Sequence, residues 1–202
     1  FDHADFDVNI DDFISMRNQT TCKVIPTLWQ SLGLVDTAPR PRAAQTGVRR
    51  YDKPKTREMF FAQAMLFHRA GADGLELGFS GKEWISRPWL NDLADPAKVE
   101  FADKQYMVER SAYCPIKFAT RAAASAEDLT EEKIVPLRIG DDPAKALRLG
   151  YHIDAELVLH GRALEPNESI AVYVNGQGPA VASSETGGSA EADHAIHIAG
   201  QA

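Results

Sequence analysis

Apolar positions recur at helical spacing in only a few stretches of this chain, and the clearest runs from Thr56 to Ala70. Phe60, Ala64, Phe67 and Ala70 fall three or four residues apart, which puts them on one face of a helix. Thr56 precedes the run as a candidate N-cap, and Gly71 follows it as a left-handed stop. After the turn Gly71-Ala-Asp-Gly74, the segment Leu75-Glu-Leu-Gly-Phe79 alternates as a short strand with one acidic side chain set in it. Upstream, Ile10, Phe13 and Ile14 predict a first helix over residues 9–18. The β-branched run Cys22-Lys-Val-Ile-Pro-Thr-Leu-Trp29 predicts a strand, with Pro26 marking a kink or bulge near its end.

Residues 30–55 are rich in Pro and Arg and read as a long loop, of the length that serves as a lid or stays disordered. A second loop, Ser80 to Pro88, carries Trp84 and Arg87, and Trp89 follows it. Residues 89–105 read as a short helical stretch broken at Asp95-Pro96. The order helix, strand, helix, strand, helix is α/β, with the long loops following the strands. Such an order predicts the C-terminal part of a (β/α)8 TIM barrel over residues 1–109. Two strands cannot close a barrel, so the expectation is a fragment of one, poorly stable by itself because a strand edge would be left open.

The pattern changes near Tyr106. Apart from a helical stretch at Asp142 to Leu149, short alternating runs take over at Ile134–Ile139, His152–His160 and Ser169–Asn175, with Ile196 and Ile198 at the end. Asn175-Gly176 is a strong hairpin signal, because both positions tolerate the positive φ angles of a tight two-residue turn. Residues 110–202 are therefore expected to form a small all-β, sandwich-like accessory domain, with a flexible loop at Ser183–Ala192.

Composition changes this picture little. At 202 residues, 44% apolar and 25% charged, the chain is globular in character, and no apolar run reaches the length of a membrane span. A net charge of -7 argues against nucleic acid, which demands a basic patch. The one basic cluster (Arg40, Arg42, Arg49, Arg50, Lys53, Lys55 and Arg57) is interrupted by prolines and reads as a solvated loop. Cys22 and Cys114 are too few and too far apart for a disulfide framework or a zinc site, and are read as small buried thiols, with a disulfide between them as the alternative. No cofactor fingerprint is present. The acidic and histidine cluster Asp2, His3, Asp5 and Asp7 offers groups for a cation or a sugar hydroxyl but is read as Asp turns at a cut terminus, and the pair His194/His197 lacks further ligands, so no metal is expected. Asn18-Gln-Thr20 and Asn167-Glu-Ser169 match the N-glycosylation pattern, which arises by chance in a chain of this length.

Four pieces, in order, carry a family resemblance: Cys22-Lys-Val-Ile-Pro-Thr-Leu28; Ala62-Gln-Ala64 with Arg69-Ala-Gly-Ala-Asp-Gly74; Arg87-Pro-Trp-Leu-Asn-Asp-Leu-Ala-Asp-Pro96 running to Asp103-Lys-Gln-Tyr106; and Ser169-Ile-Ala-Val-Tyr-Val-Asn-Gly176. With these the chain resembles the glycosyl hydrolase-like family 10 proteins of planctomycetes and related bacteria over residues 5–178. The resemblance implies that the first three pieces are strand seven, the following helix with strand eight, and the closing helix of a TIM barrel, and that the fourth belongs to an appended β-domain. It implies a carbohydrate-active parent protein, a glycoside hydrolase, and a secreted or periplasmic location. One departure stands out: the strand-eight segment of such proteins reads Asp-Gly-Ile-Tyr-Leu-Phe-Asn, whereas here Glu76 stands where an aromatic is common.

Hydrolysis of an O-glycosidic bond uses two carboxyl groups across the scissile linkage. The resemblance implies the acid on strand four, which this chain does not include, and the nucleophile at the end of strand seven. That end reads Thr27-Leu-Trp-Gln30 and has no carboxylate. The chain thus carries no complete catalytic pair, and Glu76 is the one weak catalytic candidate. What remains is substrate-shaping chemistry: Trp29 and Trp84 as stacking faces for sugar rings, Gln30, Glu76 and Arg87 as hydrogen-bonding groups. Two functions stay open, a part of a glycoside hydrolase or a protein that binds a glycan or cell-surface polymer without cleaving it. Each candidate has a plainer alternative as well. Trp89 can be a core anchor, Asp73 a turn residue, and Glu76 either a carboxylate facing the barrel interior or an outward one paired with a neighbouring helix.

Overall fold

The computed structural model describes residues 10–29, 31–35, 50–78, 86–107, 132, 134–162, 170–182 and 191–197. The chain divides into two compact units, residues 1–141 and 142–202. Residues 108–131, where the change of sequence character begins, lie outside the described residues.

The first unit is built on helix α2, Arg57–Ala70, preceded by α1, Ile10–Arg17, and the strands β1, Thr27–Trp29, β2, Ser31–Val35, and β3, Arg50–Pro54. It continues with β4, Glu76–Gly78, a 3-10 helix over Pro88–Ala94, and α3, Pro96–Glu100. The ends of α2 form as its sequence predicts. Thr56 Oγ1 accepts from the Met59 amide at 3.3 Å, and Gly71 takes the left-handed conformation at φ 90°. The amides of Gly71 and Ala72 then donate to the carbonyls of His68 and Phe67, so two of the helix's orphan acceptors are satisfied.

Every residue of α2 from Met59 to Phe67 is buried, Gln63 included. A helix covered on all sides serves as the centre of its unit rather than as a surface layer. Phe60, Phe61, Ala64 and Phe67 join Leu28, Leu90 and Val99 in one apolar cluster, while Met59, Ala62 and Leu66 pack under Tyr106 and Met107. Trp89 lies against Phe60 and Phe61, with ring centroids 5.3 and 6.2 Å apart. It is the core anchor of the segment that follows the second loop. The break at Asp95 also forms where the sequence puts it. The 3-10 helix ends there, and the Asp95 side chain caps α3 by accepting from the Ala97 amide at 3.0 Å.

β1 and β4 pair in parallel, Thr27 opposite Glu76, Leu28 opposite Leu77 and Trp29 opposite Gly78, with α2 in the connection between them. This is a βαβ unit. The strands are shorter than the sequence suggests, since Cys22–Pro26 carry no ladder of their own. Pro26 lacks the amide a longer ladder would use, although its carbonyl accepts from the Glu76 amide at 2.9 Å.

Several expectations are corrected. The stretch read as a long loop contains an antiparallel ribbon, β2 with β3, in register from Ser31 opposite Pro54 to Val35 opposite Arg50. Proline and arginine content hid the alternation there. Lys55, assigned to a solvated basic loop, is 3% exposed, and its Nζ donates to Gln63 Oε1 at 2.8 Å. Its aliphatic stem can lie in the core because the amide of Gln63 receives the ammonium. Cys22, read as a buried thiol, is exposed and free.

The run Ile134–Ile139 is not a strand either: Ile134 is 85% exposed, and Val135, Leu137 and Ile139 are exposed too. Pro136 breaks the donor pattern in its middle, and alternation makes a strand only where one face finds cover. The residues just after it return to α2. Arg69 Nε donates to the Gly140 carbonyl at 3.0 Å, and a Cβ on Gly140 would lie 3.0 to 3.1 Å from Met65 and the Leu66 amide nitrogen. Tyr106 Oη donates to Asp141 Oδ2 at 2.9 Å, while Lys104 Nζ lies 2.8 Å from Asp141 Oδ1. Lys104 also donates to the carbonyls of Glu100 and Ala102, closing the end of α3. Burial, with the neighbouring Asp141 charge, pushes the Tyr106 phenol well above its ordinary value.

The second unit opens with α4, Pro143–Arg148, capped by the Asp142 side chain, which accepts from the Lys145 amide at 2.9 Å. Four strands follow: β5, Glu156–Arg162, β6, Ile170–Val174, β7, Gln177–Ala182, and β8, Glu191–His197. They form two two-stranded antiparallel sheets, β5 with β8 and β6 with β7. The β6–β7 turn is the one its sequence signals. Val174 pairs with Gln177 across Asn175 and Gly176, at φ 52° and 76°.

Candidate functional site

The candidate site is one face of the β1–β4 pair. Side chains alternate across a strand, and Leu28, fully buried, points into the cluster with Phe60 and Phe61. Thr27 and Trp29 therefore point the other way, away from α2. The parallel register brings Glu76 and Gly78 beside them. Thr27 Oγ1 donates to Glu76 Oε2 at 2.8 Å, which fixes Glu76 on this face.

Gly78 completes the face through what it lacks. A Cβ at this position would meet Thr27 Cγ2 at 2.9 Å and the Trp29 ring at 3.1 Å. The indole thus rests against bare backbone, and any side chain here would displace it. By sequence alone Gly78 is only a strand residue. Its role shows in retrospect in a Trp and a Gly that the pairing register sets opposite each other.

What holds this register lies just upstream of both strands. The Asp73 amide donates to the Val24 carbonyl and the Val24 amide to Asp73 Oδ2, both at 2.9 Å. Arg17 reaches from α1 to the same place, donating to the Gly71 carbonyl at 2.7 Å and to Asp73 Oδ2 at 3.2 Å. The Val24 amide, and then Arg17, hold the Asp73 carboxyl below its ordinary value of 3.8. Asp73 is the turn residue its sequence suggests, and it also ties three segments together.

Of the other sequence candidates, Arg87 is exposed and precedes the 3-10 helix, its carbonyl accepting from the Leu90 amide at 3.1 Å. Gln30 and Trp84 lie outside the described residues, as does the Asp2 to Asp7 cluster. Among the described residues, no group of three His, Cys, Asp or Glu side chains could hold a metal ion. No helix among them is long and apolar enough to cross a membrane. Chemically, the face offers an indole, a hydroxyl and a carboxylate side by side. Its Glu76 has no second carboxyl group opposite it among the strand pair's residues. No protein-family model, curated protein or solved structure matches the chain.

Proposed function

We propose that this chain supplies part of the sugar-binding wall of a carbohydrate-active protein, a glycoside hydrolase in its full form, and that residues 1–109 contribute the C-terminal strands of a (β/α)8 barrel. The single observation that carries the binding role is the juxtaposition of Trp29, Thr27 and Glu76 on one face of the parallel β1–β4 pair. An aromatic face beside carboxylate and hydroxyl oxygens is a pairing suited to a sugar ring, which is apolar on its C–H faces and polar at its rim. The family resemblance adds the expectation of hydrolysis. A catalytic pair would need a second carboxyl group across the bond from Glu76, and the β1 end provides Trp29 instead.

That same feature favours a second reading, a protein that holds a glycan or cell-surface polymer without cleaving it. Calorimetric titration of the chain against a panel of oligosaccharides, with Trp29→Ala and Glu76→Gln beside wild type, tests the shared core of both. Binding to at least one neutral glycan is expected, weakened about tenfold or more in Trp29→Ala, a loss typical of one stacked aromatic. No binding to any glycan, or unchanged binding in both variants, would overturn it. Product analysis on the full-length protein then separates cleavage from binding alone.

A further inference from the structure

We infer that the β1–β4 face selects sugars bearing a protonated amine over their hydroxyl counterparts and rejects acidic sugars; this rests on the carbohydrate reading above. The reason lies in where the protons are. A carboxylate has acceptors only, so in the Thr27–Glu76 pair the hydroxyl must be the donor. Thr27 thereby commits its single proton to Glu76 Oε2. What the pair has left for a ligand is the second carboxylate oxygen, Oε1, and the lone pairs of Thr27 Oγ1. All of these accept.

Trp29 extends the same preference. Its indole lies against the Gly78 backbone on this face, and the π surface of an indole attracts cationic groups. A ligand that fits must therefore bring its own donors. Ring hydroxyls satisfy this, and an ammonium group satisfies it better, because it donates up to three hydrogen bonds and its charge complements Glu76. A uronate brings a second carboxylate beside Glu76, so it meets like-charge repulsion with no donor left in the Thr27–Glu76 pair to relieve it.

The test is calorimetric titration of the whole chain, at mildly acidic pH, with four probes of equal length: oligomers of glucosamine, N-acetylglucosamine, glucose and galacturonate. The glucosamine oligomer is expected to bind about tenfold more tightly than the glucose oligomer, an advantage that shrinks as salt is added, and the galacturonate oligomer to show no binding. Glu76→Gln, which replaces an acceptor-only group with one that also donates, is expected to bring the glucosamine and glucose affinities together. Glu76 is exposed, so this variant should fold, and circular dichroism matching wild type checks that it does. Equal affinity of wild type for glucosamine and glucose, tighter binding of galacturonate, or a preference unchanged in Glu76→Gln would overturn the selectivity while leaving the carbohydrate reading intact. Failure of all four probes to bind would overturn both.

Discussion

Asp73 shows how one side chain can set the geometry of a site it does not touch. Its carboxylate accepts from the Val24 amide and from Arg17, while its own amide donates to Val24. Those bonds place the start of β4 level with the start of β1, and the pairing of Thr27 with Glu76 follows from that level. Because the charged carboxylate is the form that accepts these bonds, its folded-state pKa lies below its unfolded value of 3.8. The sign follows from proton linkage. The stabilisation is complete above the unfolded value and is lost as pH falls through the lower, folded one. Wild type is thus expected to lose thermal stability on acidification below about 4, the ordinary carboxylate range. Asp73→Asn should melt lower than wild type at neutral pH, with a shallower acid dependence. Thermal melts of both proteins across that range check it, and parallel acid profiles would show that Asp73 contributes nothing through its charge.

At the scale of elements, α2 is specified at its ends by sequence and in its middle by what surrounds it. Thr56 and Gly71 cap it through local bonds that need no tertiary partner. Thr56→Ala removes the hydroxyl that satisfies the Met59 amide, and should cost about 1 kcal/mol, read as a lowered urea midpoint at unchanged slope. Gly140 tests the surroundings instead. Its backbone lies so close to Met65 and Leu66 that a methyl group would meet atoms at 3.0 to 3.1 Å, two of them backbone. A helix backbone yields less readily than a side-chain tip. Gly140→Ala is therefore expected to destabilise by about 1–3 kcal/mol, the usual range for overpacking, in the same denaturation assay. An unchanged midpoint would mean that the segment lifts away from α2 without loss.

Across the whole molecule, burial is uneven. The nine consecutive buried residues of α2, Met59–Phe67, form the centre of the first unit, whereas α4 in the second unit has no buried residue. Local opening is cheap where few apolar contacts hold an element, and approaches the cost of global unfolding where many do. Native-state hydrogen exchange should consequently find its slowest amides in α2 and fast exchange in α4. Comparable protection in both would show that α4 is held by contacts beyond its own burial.

Where the chemistry was local, the sequence by itself determined the outcome. The caps of α2, the Asp95 break, the Asp142 cap of α4 and the Asn175-Gly176 turn each depend on a side chain bonding a nearby backbone group, or on a residue that accepts positive φ. Such features are readable because all the interacting atoms lie within a few residues of one another. The order β1, α2, β4 was legible for the same reason, and Trp29 and Glu76 stood out by their residue types. Tertiary structure alone decided the rest. Ile134–Ile139 alternates like a strand but forms none, and its apolar side chains Ile134, Val135, Leu137 and Ile139 stay exposed. Lys55 is buried because Gln63, eight residues on, offers an acceptor inside the core. The candidate site itself depends on a register between segments 49 residues apart, which puts the Thr27 hydroxyl on Glu76 and the Trp29 indole on Gly78. Periodicity assigns each residue a face within its own strand, and only the partner strand decides which side chains meet on it.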